Sequence, residues 1–187
     1  MDKKYSIAVV GATGAVGREI LEILSERNFP IKKIYLLASE RSEGSKINFD
    51  SQEIEVENLI NFDFSKAQIA FFSPGASISS QYVPKASEKG CISIDNTSYY
   101  RMEKDVPLII PEVNGFVLDD YFSSNNRRNI ISNPNCSTIQ MLMALKPLHD
   151  NSIINRIVVS TYQSVSGKGK NGMDELFEQT RGVYANK

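Results

Sequence analysis

The chain has 187 residues, a formal net charge of −1, 41% hydrophobic residues and 23% charged residues, a composition typical of globular domains. Lysine and arginine are scattered, and no apolar run reaches about 18 residues, so neither nucleic-acid binding nor a transmembrane helix is expected. Two cysteines and one histidine are too few for a disulfide framework or a structural zinc site. We therefore expect a protein of the reducing cytoplasm that holds no metal.

The first half of the chain alternates short apolar runs with stretches of helical periodicity. The pattern predicts strong strands at 5–10, 33–38, 68–73 and 91–95, weaker strands at 46–49 and 54–59, and helices at 15–27 and 79–89. Buried strands that alternate with helices form parallel sheets covered on both faces. The sequence therefore predicts the α/β class, with a Rossmann-type, doubly wound and mostly parallel sheet.

The second half carries fewer elements. The pattern predicts strands at 108–114 and 129–132 with a polar loop at 119–129 between them, then a helix at 138–148, a strong strand at 155–165, a glycine-rich stretch at 166–172 and an amphipathic helix at 173–184. Pro147 is expected to bend or end the first of these helices. Because so few elements cannot enclose a core, we expect the second domain to be incomplete.

A glycine motif joins the first strand to the first helix. The motif "GATGAVG" places Gly11, Gly14 and Gly17 directly after the strand and at the start of the helix. Glycine lets the backbone turn tightly and approach a pyrophosphate, whose charge is favoured by the amides of the helix N-terminus. The motif in this setting predicts a dinucleotide site, and the alternative is a strand–helix turn without a ligand.

The end of the second strand indicates which dinucleotide is bound. NAD sites place Asp or Glu there to hold the ribose 2′-hydroxyl, whereas this strand continues into Ser39, Glu40, Arg41 and Ser42. The two serines can donate hydrogen bonds to a 2′-phosphate and Arg41 can supply the positive charge, which favours NADP(H). Glu40 argues against this assignment unless it points away, and a solvated charged turn is the alternative.

A cysteine lies where an apolar helix is predicted to begin, in the stretch "SNPNCSTI" (132–139). Amides at a helix start stabilise a thiolate and can hold an oxyanion, so Cys136 is suited to attack an aldehyde or an acyl phosphate. Pro134 makes the preceding turn rigid, and Asn135 can orient a substrate. The alternative is a structural cysteine at a helix cap.

Five blocks of sequence, in order, resemble the aspartate-semialdehyde dehydrogenase family. They are "GATGAVG", "LASERSEG", "DNTSYYRMEKDVPLIIPEVN", "ISNPNCSTIQ" and "STYQSVSGKGKNGMDEL", and they cover nearly the whole chain. The related N-acetyl-γ-glutamyl-phosphate reductases typically have glycine before the cysteine and an aromatic residue after it. Here Asn135 and Ser137 flank Cys136, which favours the aspartate enzyme.

The resemblance implies an oxidoreductase that uses NADPH to reduce L-aspartyl 4-phosphate to L-aspartate 4-semialdehyde with release of phosphate, a step in lysine (diaminopimelate), threonine and methionine biosynthesis. By this analogy Cys136 is the nucleophile, Gln163 holds the substrate near the thioester, and Arg101 binds the phosphate. Further implied contacts with NADP come from the residues Thr13, Ala15, Val16, Arg41, Ser42, Ser166 and Gly167. Taken singly, each of these residues also has an ordinary structural explanation.

The chain departs from the family in two ways. Ser73-Pro74-Gly75 replaces the usual Ser-Ala-Gly, and the proline removes an amide that could face the cofactor. The family's base histidine and carboxylate-binding arginine come from the later half of its chain and have no counterpart here. His149 cannot replace the histidine, because it lies 13 residues beyond Cys136, roughly 20 Å along one helix. We therefore expect a poorly active fragment that still binds the cofactor.

The expected organisation is an NADP-binding domain at 1–133 and the start of a catalytic and dimerisation domain at 134–187. Its partners would be the small-molecule substrate and, in the full-length protein, further copies in a homodimer or homotetramer. Two alternatives stay open: a non-catalytic NADP-binding module and an N-acetyl-γ-glutamyl-phosphate reductase.

Overall fold

A computed structural model describes residues 3–125 and 127–185. Seven strands form one sheet: β1 (Tyr5–Val10), β2 (Ile31–Ala38), β3 (Lys46–Phe49), β4 (Gln52–Asn58), β5 (Ile69–Phe72), β6 (Ile92–Asp95) and β7 (Ile130–Ser132). The spatial order is β3-β4-β2-β1-β5-β6-β7, and every neighbouring pair is parallel except the β3–β4 hairpin. This is the doubly wound α/β sheet that the sequence predicts.

Six helices accompany the strands in the described residues. They are α1 (Ala15–Glu26), α2 (Ala76–Glu88), α3 (Pro111–Asn114), α4 (Val117–Ser123), α5 (Cys136–Asn151) and α6 (Lys170–Tyr184). The central strands are almost entirely apolar because both faces of the sheet are covered. Ile7 and Val9 of β1 are fully buried in the core on one face, and Ala8 and Val10 in the core on the other.

The first half agrees with the sequence prediction, including both weaker strands. The region after β6 agrees only in part, because the strand predicted at 129–132 is present as β7 but other predicted elements differ. The strand predicted at 108–114 is wrong: only Leu108 forms an isolated parallel bridge, with Ser132, and helix α3 begins at Pro111. Proline suits the first turn of a helix, where its missing N–H is not needed. The predicted polar loop at 119–129 is also partly wrong, because α4 extends to Ser123; its residue Asn126 lies outside the described residues.

The strand predicted at 155–165 is wrong as well. Residues 153–164 form neither helix nor strand, and a short 3-10 helix follows at Val165–Lys168. The apolar residues Ile157, Val158 and Val159 of this segment are exposed. A strand requires a hydrogen-bonded neighbour, and no described residue pairs with this segment.

The predicted helices of the second half are present. Helix α5 begins at Cys136 and continues through Pro147 to Asn151, so the proline neither ends the helix nor marks its last turn. Helix α6 begins at Lys170, within the predicted glycine-rich stretch. Between residues 3 and 185, leaving out position 126, no helix is long and apolar enough to cross a membrane.

Candidate functional site

The glycine motif forms a tight turn between β1 and α1. Gly11 has a φ of +86°, a conformation that residues with side chains rarely adopt, and its carbonyl accepts a hydrogen bond of 3.0 Å from the amide of Gly14. A Cβ atom on Gly17 would lie 2.2 Å from the Gly11 carbonyl oxygen and 2.8 Å from Cα of Ala12. The start of α1 therefore packs directly on the turn, as a pyrophosphate-binding loop requires.

A cleft of about 610 Å³, here named the nucleotide cleft, opens at the carboxyl ends of the strands. The residues that line it include Gly11, Thr13, Gly14, Ser39, Glu40 and Asn58. Ligands of open α/β sheets bind at this edge. The structure thus brings the glycine turn and the end of β2 to one cavity. The two features were predicted to bind a dinucleotide from separate parts of the sequence.

The residues of the charged turn after β2 differ in whether they line the nucleotide cleft. Glu40, Arg41 and Ser42 form a single turn of 3-10 helix, closed by a hydrogen bond of 2.8 Å from the Ser42 amide to the Ser39 carbonyl. Glu40 and Ser39 line the nucleotide cleft, and neither Arg41 nor Ser42 is among its lining residues. The 2′-phosphate contacts of Arg41 and Ser42 stay predictions.

The Ser73-Pro74-Gly75 loop lies against the glycine turn. The amide and the hydroxyl of Ser73 both donate to the Val10 carbonyl, at 3.0 and 3.1 Å, and Ser73 and Pro74 line the nucleotide cleft. A Cβ on Gly11 would meet the Pro74 nitrogen at 3.1 Å. The proline therefore packs against Gly11 at this point of the cleft and presents no amide there.

Cys136 occupies the first position of α5. The cap residue is Asn135, whose Oδ1 accepts hydrogen bonds from the Ser137 amide at 3.0 Å and the Ser137 hydroxyl at 2.7 Å. The thiol is exposed, whereas Cys91 is fully buried and burial raises the pKa of its thiol to about 12. Only Cys136 is therefore placed to react with a ligand.

A second cavity, of about 440 Å³, contains this thiol and is here named the thiol cavity. Its lining includes Ala15 and Val16 from the start of α1, Cys136 and Ser137 from the start of α5, and Gln163, Ser166 and Gly167 from the segment before α6. Three parts of the chain that the sequence treats separately thus meet at one place. The structure brings the thiol together with the first turn of the dinucleotide-binding helix.

Gln163 is linked to the cap of α5. Nδ2 of Asn135 donates to Oε1 of Gln163 at 3.4 Å, and a Cβ on Gly167 would lie 2.5 Å from Nε2 of Gln163. The Gln163 amide is therefore held between Asn135 and the bare backbone of Gly167.

Arg101 crosses between two loops at the end of the sheet. Its Nε donates to the Asn133 carbonyl at 2.9 Å and its Nη2 to the Asn96 carbonyl at 3.1 Å. Asp95 is fully buried beside this loop and accepts hydrogen bonds from Ser79 and Thr97. Burial raises the pKa of Asp95, and the Thr97 and Ser79 hydrogen bonds and the Arg101 charge act in the opposite direction. Arg101 thus connects the loop after β6 to the loop that leads to Cys136.

The sequence analysis missed five residues that line the thiol cavity: Glu19, Ser137, Gln140, Tyr162 and Ser164. Helical spacing could have found two of them, because Glu19 lies four residues after Ala15 on α1 and Gln140 four residues after Cys136 on α5. His149 is remote: its Nδ1 accepts a hydrogen bond of 3.2 Å from the Ile154 amide, beside a separate apolar cavity. It is not placed to act as a base for Cys136.

A doubly wound sheet with a glycine turn, and an exposed thiol at a helix start beside that turn, are the parts that a thioester-forming dehydrogenase of the nucleotide-binding class requires. The family model for the NAD binding domain of semialdehyde dehydrogenases matches residues 6–121, and the model for their dimerisation domain matches residues 145–187. The chain belongs to the semialdehyde dehydrogenase family.

Individual relatives agree with this assignment. Aspartate-semialdehyde dehydrogenase of Rickettsia bellii is 52% identical over 184 residues, which are 98% of this chain and 53% of that protein. The crystal structure of aspartate semialdehyde dehydrogenase II from Vibrio cholerae, complexed with ASA, superposes with a TM-score of 0.90 at 49% identity, covering 99% of this chain and 54% of that one. The enzyme from Candida albicans, solved with NADP, gives a TM-score of 0.66 at 27% identity over 81% of this chain and 48% of that one. The chain spans about half the length of the relatives it matches.

Proposed function

We propose that this chain is the nucleotide-binding and thioester-forming part of an aspartate-semialdehyde dehydrogenase, which reduces L-aspartyl 4-phosphate to L-aspartate 4-semialdehyde and releases phosphate. One observation carries the proposal: the exposed thiol of Cys136 shares a cavity with Gln163, Gly167 and the first turn of α1. The names of the relatives and the ASA complex of the Vibrio cholerae enzyme support the choice of substrate.

The cofactor proposed for the nucleotide cleft is NADP(H). The residues fit a dinucleotide, because the Gly11 turn leaves no room for a Cβ at Gly17 and Gly11, Thr13 and Gly14 line the cleft just before the start of α1. Arg41 is assigned the 2′-phosphate, with Ser39 and Ser42 as hydrogen-bond donors. The Candida albicans structure with NADP supports this assignment. When bound, NADPH supplies the hydride.

The chemistry proposed for the protein residues follows from their positions. The Cys136 thiolate attacks the carbonyl carbon of the acyl phosphate, and the carbon–oxygen bond to phosphate then breaks, which leaves a thioester and free phosphate. Amides at the start of α5 stabilise the oxyanion that forms on the carbonyl oxygen. Gln163 holds the acyl group, and the guanidinium of Arg101, whose Nε and Nη2 donate to backbone carbonyls, is assigned the phosphate.

The proposed domain boundary falls at the turn before α5, with a nucleotide-binding domain at 1–133 and the start of a catalytic and dimerisation domain at 134–187. Cys136 then lies at the junction, so a thioester on it faces both the cofactor turn and the second domain. His149 lies at the other end of α5 and is not assigned the proton transfer of the reduction step.

Acylation of the thiol tests the proposal directly. The chain is incubated with aspartyl phosphate and digested, and the peptides are analysed by mass spectrometry. We expect an aspartyl adduct on Cys136 with release of phosphate, and none on Cys91, whose sulfur is buried. The Cys136→Ser variant should bind NADPH as well as the wild type and form no thioester.

The same experiment separates the alternatives. Faster acylation by N-acetyl-γ-glutamyl phosphate than by aspartyl phosphate would assign the chain to the other reductase. NADPH binding without acylation by either compound would indicate a non-catalytic nucleotide-binding module and overturn the proposal.

A further inference from the structure

We propose that Asn135 is a positioning residue that caps α5 with its oxygen and orients Gln163 with its nitrogen, so that Nε2 of Gln163 is the atom presented at Gly167 in the thiol cavity. This inference rests on the proposed function, because it assigns to Gln163 the donor that faces the acyl oxygen. It gives Asn135 a role that acts through Gln163.

The orientation of the Asn135 amide is fixed by Ser137. Oδ1 accepts two hydrogen bonds, from the Ser137 amide at 3.0 Å and from the Ser137 hydroxyl at 2.7 Å, and the Cys136 sulfur lies 3.8 Å from the same oxygen. A reversed amide would place an NH₂ group against the Ser137 N–H, which can only donate. The nitrogen of Asn135 must therefore point away from the helix.

The Asn135 nitrogen in turn fixes Gln163. It donates to Oε1 of Gln163 at 3.4 Å, and an NH₂ group of Gln163 in that place would set two donors against each other. Nε2 therefore lies on the opposite side, against Gly167, where a Cβ would come within 2.5 Å of it. The side chains of Asn135 and Gln163 and the backbone of Gly167 form one chain of contacts beside the thiol.

The orientation of the Gln163 amide matters for the proposed chemistry. An amide nitrogen donates hydrogen bonds and stabilises negative charge that develops on a carbonyl oxygen, whereas an amide oxygen in the same place repels it. The cap of α5 thus decides which end of Gln163 meets the acyl group. Asn135 would in this way act on the acyl group through Gln163, which lies 28 positions away in the sequence.

The substitution Asn135→Asp isolates this role. Aspartate caps helices as well as asparagine does and keeps the bond from Ser137, but its second oxygen would face Oε1 of Gln163. Gln163 must then turn over and donate Nε2 to residue 135. The matched control is Asn151→Asp, the same change at the other end of α5, where the side chain donates to the Pro147 carbonyl.

The first measurement follows the side-chain NH₂ signals of Gln163 in two-dimensional ¹H–¹⁵N spectra of the chain, assigned by their loss in Gln163→Glu. We expect Asn135→Asp to move these signals and Asn151→Asp to leave them in place. This readout does not depend on the proposed reaction, so signals unmoved by Asn135→Asp overturn the inference even when the thiol is acylated as expected.

The second measurement compares acylation of Cys136 by aspartyl phosphate with its alkylation by iodoacetamide at the same pH. Asn135→Asp and Gln163→Glu should each slow acylation by about 10- to 100-fold, with alkylation nearly unchanged. The double variant should be no slower than either single variant, since both remove one function. Additive losses, or equal losses in alkylation, would contradict the positioning role.

Discussion

The contact between the glycine turn and α1 leads to a prediction about Gly17. In the substitution Gly17→Ala the new methyl group would lie 2.2 Å from the Gly11 carbonyl oxygen and 2.8 Å from both the Gly11 carbonyl carbon and Cα of Ala12. All three are backbone atoms of the buried turn and cannot rotate away. The start of α1 must therefore move outward by about 1 Å to restore ordinary contact.

The cost follows from two opposing effects. Overpacking of a close-packed site costs about 1–3 kcal/mol, and replacing glycine by alanine in a helix returns up to about 1 kcal/mol. Because Gly17 is only the third residue of α1, the return is smaller than in the middle of a helix. We expect a net loss of about 1–2 kcal/mol in the free energy of unfolding, or a fall in Tm of roughly 2–8 °C.

Thermal unfolding followed by circular dichroism measures the stability, and quenching or enhancement of NADPH fluorescence measures binding. NADPH should bind at least about tenfold more weakly, because the displaced turn is the one that approaches the pyrophosphate. Gly14→Ala is the stability control, since its Cβ would meet only the Gly11 oxygen, at 3.3 Å. A Gly17→Ala variant with the Tm and NADPH affinity of the wild type would refute the packing argument.

Two further predictions concern charge. Arg41→Ala should weaken NADPH binding by about tenfold or more, and far more than NADH binding, because a charged contact with the 2′-phosphate is lost. Equal effects of Arg41→Ala on the two cofactors would disprove the 2′-phosphate assignment. Glu40→Gln should strengthen NADPH binding, because it removes a negative charge that lines the cleft. Burial raises the pKa of Asp95 above its ordinary value of 3.8, so the folded state holds the proton more tightly than the unfolded state, and the stabilisation is lost as pH rises. The stability of the wild type relative to Asp95→Asn, measured by urea unfolding, should therefore fall from about pH 4 upward, and a pH-independent difference would contradict this.

The parts of the fold that the sequence predicts are those where local pattern and final burial agree. The runs at 5–10 and 33–38 are apolar because parallel central strands are covered on both faces, and such runs are recognisable without knowledge of their neighbours. The segment 155–165 has the same composition, but a strand exists only when another strand pairs with it. Composition alone could not reveal that this partner is missing among the described residues.

Some features of the candidate site were likewise predictable from the sequence, and others were not. The position of Cys136 at a helix start was predictable, because the turn before it contains proline and a residue that caps helices, Asn135. The contact of Asn135 with Gln163 was not predictable from the sequence. The segment that carries Gln163 has no regular structure, and its course over the start of α5 depends on tertiary packing. Local signals identify reactive residues, and only the fold shows which of them meet.

The thiol cavity lies between the starts of two helices, α1 and α5. Ala15 and Val16 at the beginning of α1 and Cys136 at the beginning of α5 line the same space, so the positive ends of two helix dipoles lie beside it. One end is suited to the pyrophosphate of a dinucleotide and the other to an oxyanion on a thiol-bound acyl group. Hydride transfer requires the nicotinamide of a bound dinucleotide to reach the acyl carbon, so the dinucleotide and the thiol must be held close together. The topology supplies this because α1 and α5 each begin at the carboxyl end of a parallel strand of one sheet.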